Sequence, residues 1–155
     1  MEVNGDLNNG NDDEFHIQKL RQDSTVSKEL AKRYFSFEGK SPYEFDIYGN
    51  KIKWSKVDVS ITDDKGKVIY VQPAVERPDF WSDLAVKVVA SKYFWGNLQK
   101  GERENSVRQI IGRVSEFFGR KGLQHGYFDS LQASAFVDEI TAICINQMAV
   151  FNSPV

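Results

Sequence analysis

The stretch NSVRQIIGRVSEFFGRKG, residues 105–122, carries the strongest secondary-structure signal in the chain. Ser106 is placed to cap a helix at its N-terminus, and the Arg-Lys-Gly sequence at 120–122 is typical of a helix C-terminus. Between them, apolar residues recur every three or four positions, which is the period of one helix face. These residues are Val107, Ile110, Ile111, Val114, Phe117 and Phe118. The pattern predicts an amphipathic helix whose apolar face needs a partner.

A second amphipathic stretch follows the first. Asp129 and Gln132, three residues apart, have the spacing of a capping box, and a helical period continues from them to about residue 149. Because Pro154 disfavours the helical region for Ser153, we expect the backbone to become extended there. The positions that continue the period are Ala133, Phe136, Val137, Ile140, Ile143, Cys144 and Gln147.

Two shorter helices are predicted upstream of these. The first begins behind a Ser27 cap, and its helically spaced apolar residues are Leu30, Ala31, Tyr34 and Phe35. The second covers residues 81–94, and one face of it is predicted to consist of Leu84, Ala85, Val88 and Val89. Both assignments rest on the helical period alone.

The stretch WSKVDVSITDDKGKVIYVQ, residues 54–72, has a different period. Apolar and polar residues alternate over residues 57–61, DDKGK supplies turn residues, and residues 68–71 form a second β-branched and aromatic run. This pattern predicts a β-hairpin, with Pro73 and Pro78 interrupting the chain after it. The expected fold class is therefore α+β, mainly helical with one hairpin.

Composition limits the function classes. The chain has 155 residues, 41% of them hydrophobic, a formal net charge of −2 and one cysteine. This composition provides no overall basic field for nucleic acid or an anionic membrane, and no internal disulfide. No apolar run approaches the roughly 20 residues of a membrane span, and the N-terminus lacks the features of a secretory signal. We expect a cytoplasmic protein with a disordered leader at residues 1–14 and one domain at residues 15–155.

Most candidates for chemistry have a structural interpretation. Cys144 lies among apolar residues and is expected in the core, whereas His16 and His125 have no metal-ligand spacing. Arg103 and Arg108 flank a helix start that would attract an anion, although a solvated helix start is the favoured interpretation. The glycines are assigned to packing and helix ends; they are Gly112, Gly119, Gly122 and Gly126.

Asn152 and Ser153 are the remaining candidates. They lie in a turn after the last predicted helix, where side chains and backbone N–H groups can surround phosphate oxygens. An ordinary Asx turn is the alternative, and the pattern alone favours it.

Several blocks together resemble the N-terminal region of adenosylcobalamin-dependent (class II) ribonucleotide reductases of the long bacterial type. The blocks are RPDFWSDLAVKVVASKYFWG, GERENSVRQIIGRV, GYFD and NQMAVFNSPV, preceded by the hairpin KVDVSITDDKGKVIYVQPAVERP. The resemblance covers roughly residues 31–155, and its specificity comes from the order and spacing of the blocks.

The resemblance implies a fold and an activity beyond this chain. In the family, the Asn-Ser-Pro-Val sequence leads into a ten-stranded α/β barrel, and its turn forms part of the pocket for the substrate diphosphate. Asn152 and Ser153 are accordingly expected to bind substrate. The family reduces ribonucleoside diphosphates to deoxyribonucleotides for DNA synthesis, by way of cobalamin homolysis and a cysteine thiyl radical.

This chain lacks the downstream parts that the resemblance implies. The catalytic cysteines, the barrel and most of the adenosylcobalamin-binding surface follow the Asn-Ser-Pro turn in the family, so Cys144 is not matched to any of them. The chain alone is expected to be inactive and to need a barrel-bearing remainder, as a continuation or as a second chain. A split gene, an intein site and a truncated sequence all remain open as reasons for the end at Val155.

The rival hypothesis is a non-enzymatic helical module that binds a protein partner. It accounts for the absent catalytic cysteines without a second chain. Such a module is expected to complete its core before Val155 and to tolerate removal of FNSPV. Direct binding of nucleic acid is poorly supported, because the basic residues are spread through amphipathic helices.

Overall fold

The computed structural model describes residues 30–151 as a small α+β domain. A two-stranded antiparallel sheet, β1 (Trp54–Thr62) and β2 (Val68–Pro78), precedes three helices. The helices are α1 (Asp83–Lys92), α2 (Val107–Gln124) and α3 (Ser130–Ile145). The predicted α+β class with one hairpin is confirmed. The predicted leader at residues 1–14 and the predicted contacts Asn152 and Ser153 lie outside the described residues.

The hairpin is present, but its second strand is longer than predicted. Val57 pairs with Val75 and Val59 pairs with Gln72, so that Pro73 and Ala74 form a bulge opposite Asp58. Ala74 has a φ of 54°, and its N–H donates to Asp58 Oδ1 at 2.9 Å. Because the bulge removes the proline from the ladder, Pro73 does not end the strand, and β2 continues to Pro78.

The inner face of the hairpin packs against α1. Val59 and Val75 on the sheet, and Val86 and Ala90 on the helix, belong to one buried cluster. The predicted face of this helix was wrong in part, since Leu84 is 71% exposed and Val88, also on that face, is 45% exposed. Apolar residues cover most of the circumference of α1, and for that reason the helical period could not select the face that meets the sheet.

The first long helix, α2, begins as predicted and ends later. The Ser106 hydroxyl accepts the Arg108 N–H, and the Gln109 side chain accepts the Ser106 N–H at 3.0 Å, which completes a capping box. Instead of ending the helix, Gly122 lies within it, and the helix continues to Gln124. Gly126, with a φ of 72°, follows the helix end.

Small residues on α2 allow close approach by the rest of the chain. Gly112, Ser115, Gly119 and Gly122 are all buried: Ser115 and Gly119 meet α3, whereas Gly112 lies against Tyr43 and Gly122 against Phe128. A Cβ atom on Gly119 would overlap a methyl group of Val137, and a Cβ atom on Gly122 would overlap the ring of Phe128. The assignment of these glycines to packing is confirmed.

We predict that Gly122→Ala destabilises the domain by about 1–2 kcal/mol, because the new methyl group must displace the Phe128 ring. This loss is expected even though alanine favours a helix interior over glycine by about 1 kcal/mol. Urea unfolding measures the change. In a Phe128→Ala background the same substitution has space, so it should instead raise stability; destabilisation of similar size in both backgrounds would contradict the packing explanation.

The last helix, α3, is capped as predicted. The Asp129 carboxylate accepts the Gln132 N–H at 2.8 Å. The Thr141 hydroxyl donates to the Ser115 hydroxyl at 3.1 Å, which satisfies both polar groups within the α2–α3 contact. The helix ends at Ile145, four residues before the predicted end.

The predicted helix behind Ser27 is wrong over the residues that are described. Residues 30–36 form no helix and instead run beside α3. Leu30 donates its N–H to the Gln132 side chain at 3.0 Å, and Arg33 forms an ion pair of 2.6 Å with Asp138. The Glu139 carboxylate accepts the backbone N–H groups of Phe35 and Ser36 at 3.0 and 2.7 Å. These distant partners take the backbone donors that a helix would have used.

Glu139 is a buried carboxylate with a perturbed proton affinity. Burial alone would raise its pKa, but the Ser36 side chain and the N–H groups of residues 34–36 donate hydrogen bonds that together hold the pKa below its usual value. A lowered pKa in the folded state means that the charged form stabilises the fold above the unfolded pKa. That stabilisation is lost as the pH falls through the folded pKa.

We therefore predict that residues 35–36 detach from α3 at acidic pH. Exchange of their amide hydrogens should be slow near neutral pH, once corrected for the intrinsic pH dependence, and should accelerate below pH ~4. Glu139→Gln should accelerate exchange by at least about tenfold at neutral pH and remove the pH dependence. Asp138→Asn is the control, because it alters the neighbouring ion pair and leaves the Glu139 hydrogen bonds in place; a pH profile unchanged by Glu139→Gln would exclude this role.

Candidate functional site

The candidate site is the part of the chain that follows α3 and leads to the predicted substrate contacts. Asn146 caps the helix, and Gln147 adopts a left-handed conformation with a φ of 56°. Met148 then donates its N–H to the Ile143 carbonyl at 2.9 Å. The left-handed residue turns the backbone sharply, and this turn explains why the helix stops before residue 149.

Trp81 fixes the end of α3. Its indole Nε1–H donates to the Ile145 carbonyl at 2.7 Å, and both residues are buried. Its own backbone N–H donates to the Pro78 carbonyl, and its carbonyl accepts from Arg77 Nη1 at 2.6 Å. The end of α3 is thereby joined to the connection between β2 and α1.

Phe151 is the last described residue and anchors the chain against α2. Its ring is half-buried, packs on the main hydrophobic cluster and stacks on Phe118 with 6.5 Å between ring centroids. Residues 152 and 153 follow immediately, so their attachment point is held from two directions, by the Trp81 hydrogen bond and by the Phe118 stack. The sequence analysis missed both Trp81 and Phe151, because their partners, the Ile145 carbonyl and the Phe118 ring, are distant in the sequence.

The other candidate residues have structural roles or lie outside the described part. Cys144 is buried in the core as predicted, and burial raises the pKa of its thiol, which disfavours the reactive thiolate. His125 caps the C-terminus of α2, whereas His16 falls outside residues 30–151. Within residues 30–151, no group of three His, Cys, Asp or Glu side chains is arranged to hold a metal ion.

A carboxylate from β2 lies at the N-terminus of α2. The Glu76 carboxylate accepts the Ser106 hydroxyl hydrogen and lies 3.4 Å from Arg108 Nε. Arg103 instead donates to the Ala90 and Gly96 carbonyls. The favoured prediction of a solvated helix start holds in part, because Asn105 and Gln109 are exposed, whereas Ser106 is buried and its hydroxyl donates to a carboxylate from β2.

The described residues provide no site that can be assigned to a corrinoid. Open grooves run along α2 and α3, one lined by Gly119, Leu123 and Val137 and another reaching Tyr43 and Thr141. Neither groove is lined by a histidine that would ligate cobalt. No chemical step is therefore assigned to a cobalamin held by residues 30–151. Over the same residues, no helix has the length and apolar content needed to cross a membrane.

The family model and the curated relatives that match this chain all describe the same kind of enzyme. Residues 55–147 match the family model described as class II vitamin B12-dependent ribonucleotide reductase. The matched range includes β2, all three helices and all but the first residue of β1. The match therefore covers nearly all of the regular structure just described.

Curated relatives with the same description extend far beyond this chain. The vitamin B12-dependent ribonucleotide reductase of Streptomyces avermitilis is 36% identical over 138 residues, which cover 87% of this chain and 14% of the relative. The protein of the same name from Rhodopirellula baltica is 40% identical over 104 residues, covering 66% and 10%. That of Streptomyces clavuligerus is 35% identical over 126 residues, covering 80% and 12%. The chain thus spans about a seventh or less of the length of these relatives.

Proposed function

This chain belongs to the family of class II vitamin B12-dependent ribonucleotide reductases, and we propose that it is the N-terminal domain that positions the Asn152–Ser153 turn in the assembled enzyme. The proposed reaction is the conversion of ribonucleoside diphosphates to 2′-deoxyribonucleotides in the cytoplasm. The barrel-bearing remainder would supply the catalytic cysteines and hold cobalamin in its adenosyl form. When bound there, the cofactor supplies the radical chemistry.

The observation that carries this proposal is the double anchoring of the chain after α3. The Trp81 hydrogen bond to Ile145 and the stacking of Phe151 on Phe118 hold the backbone up to residue 151. A turn attached to such a support can present N–H and hydroxyl donors to phosphate oxygens with little loss of conformational entropy. The contribution proposed for this chain is therefore to bind and orient substrate.

Reconstitution tests the proposal. The purified chain, given adenosylcobalamin, a dithiol and a ribonucleoside diphosphate, should form no deoxynucleotide, because it has a single cysteine. Addition of the barrel-bearing remainder, or fusion to it, should produce activity. Cys144→Ser is the control and should leave the assembled activity unchanged. Deoxynucleotide formation by the chain alone, or full activity of the remainder without it, would contradict the proposal.

A free-standing interaction module is not proposed. The family match runs through both strands and all three helices, and the relatives that share it are reductases by name. No observation on the described residues favours the interaction module over a reductase domain.

A further inference from the structure

We infer that one exposed apolar surface of this domain is the docking surface for the remainder of the reductase. The surface, called the aromatic patch, consists of Phe117, Phe118, Met148, Val150 and Phe151. This inference rests on the proposed function, because it takes the remainder of the enzyme as the partner. It adds which residues of the domain meet that partner.

The three rings of the aromatic patch adjoin one another, Met148 and Val150 lie just before Phe151 in the chain, and much of the patch is open to solvent. Phe117 and Phe118 are 47% and 46% exposed, and Val150 is 86% exposed. The Phe117 and Phe118 rings meet edge to face with 5.4 Å between centroids, and Phe118 stacks on Phe151. Single exposed apolar residues are ordinary, but a cluster of aromatic rings on one surface is typical of an interaction site.

The packing of α2 explains why this surface remains uncovered. Ser115 and Gly119 of α2 face α3, whereas Val107 and Ile111 join the core with the hairpin and α1. Phe117 and Phe118, in the second half of the helix, stay exposed beside both of these contacts. Phe151, which belongs to the patch itself, stacks on Phe118 and covers part of this surface.

The direction of the chain indicates what covers the patch. Phe151 is a member of the patch and also the last described residue, so the chain leaves the described domain at this surface. The relatives carry most of their length outside the part that matches this chain. A partner joined at residue 155 would start within reach of the patch, and this proximity favours contact there over any other exposed apolar surface.

The rim of the patch indicates the chemistry of the partner surface. Lys121 Nζ lies 5.9 Å from the Phe117 ring centroid and places one positive charge beside the aromatic rings. A complementary surface is therefore apolar at its centre with a carboxylate at its edge. This arrangement assigns a mixed apolar and acidic surface to the remainder.

The test measures binding of the full 155-residue chain to the separately produced remainder. We expect Phe117→Ser and, independently, Val150→Ser to weaken binding by at least about tenfold. Val150 lies outside the helices, so its substitution keeps the test valid if Phe117→Ser disturbs folding. Leu84→Ser is the matched control, because Leu84 is an equally apolar, exposed side chain on α1 outside the patch, and it should bind like the unchanged chain.

Each result has a distinct meaning. Unchanged binding by both patch variants, loss of binding through Leu84→Ser alone, or failure of the unchanged chain to bind the remainder would overturn the docking inference. So would a patch that pairs two copies of this chain while the remainder still binds normally. A complex that forms through the patch but produces no deoxynucleotide would support the docking surface and contradict the proposed function instead.

Discussion

Replacing Trp81 with alanine is expected to lower the free energy of unfolding by about 3–5 kcal/mol, the range found for a large aromatic side chain removed from a core. Trp81 is 7% exposed and belongs to the main hydrophobic cluster. The substitution also leaves the buried Ile145 carbonyl without its indole donor. A loss of this size is a large fraction of the total stability of a small domain.

Two further variants separate packing from hydrogen bonding at Trp81. Trp81→Phe keeps an aromatic ring but removes the donor, so it should cost about 1–3 kcal/mol. Trp95→Ala is the matched control, because Trp95 is 69% exposed and its removal should change stability by no more than about 0.5 kcal/mol. Urea unfolding monitored by circular dichroism measures all three. Equal losses for Trp81→Ala and Trp95→Ala would show that Trp81 does not join α3 to the sheet.

In the assembled enzyme, Ser153→Ala is expected to weaken substrate binding by roughly 1.5 to 3 kcal/mol, which is the usual worth of a hydrogen bond to a charged group. The proposed role of Ser153 is to donate its hydroxyl hydrogen to a phosphate oxygen, and alanine has no donor. Pro154 still restricts the backbone of residue 153, so the fold should be unaffected. Steady-state kinetics of the reconstituted reductase provide the measurement.

Two control variants separate the hydroxyl of residue 153 from other effects of the substitution. Ser153→Thr keeps the hydroxyl donor and should therefore keep most of the affinity for substrate that Ser153→Ala loses. Asn152→Ala tests the neighbouring side-chain amide separately. An assembled enzyme in which Ser153→Ala leaves both kcat and KM unchanged would rule out the phosphate contact. An equal loss in the threonine variant would point to steric disturbance of the turn.

The sequence predicted correctly those elements that depend on residues close together in the chain. The caps at Ser106 and Asp129 bond to N–H groups two or three residues along the chain, so the residues that make them stand together in the sequence. The hairpin likewise follows from alternation and a short turn. For these elements the sequence was sufficient, although helix ends differed by two to four residues.

Distant contacts determined what the sequence analysis got wrong. Residues 30–36 have a helical apolar period, but Glu139, more than 100 positions away, accepts the N–H groups of Phe35 and Ser36. The buried face of α1 was also decided by the sheet it meets, because apolar residues cover most of the helix circumference. Propensity and periodicity describe one segment at a time and cannot include such partners.

Some residues of the candidate site were predicted from the sequence, and others were found only in the structure. Asn152 and Ser153 came from the turn pattern and the family resemblance, and their role stays a prediction. Trp81 and Phe151 became visible only through the fold, because a tryptophan that bonds the carbonyl of a helix 64 residues later has no local signature.

The bulge at Pro73 and Ala74 also bears on aggregation. A sheet of only two strands has two outer edges, and an open, regular edge can recruit a strand from another molecule. In β2 a proline that cannot donate, a neighbour whose N–H is taken by Asp58, and the Glu76 N–H bonded to the Asn105 carbonyl interrupt the outward-facing pattern. The second half of β2 is therefore a poor template for intermolecular strand addition, which lowers the tendency of the hairpin to aggregate.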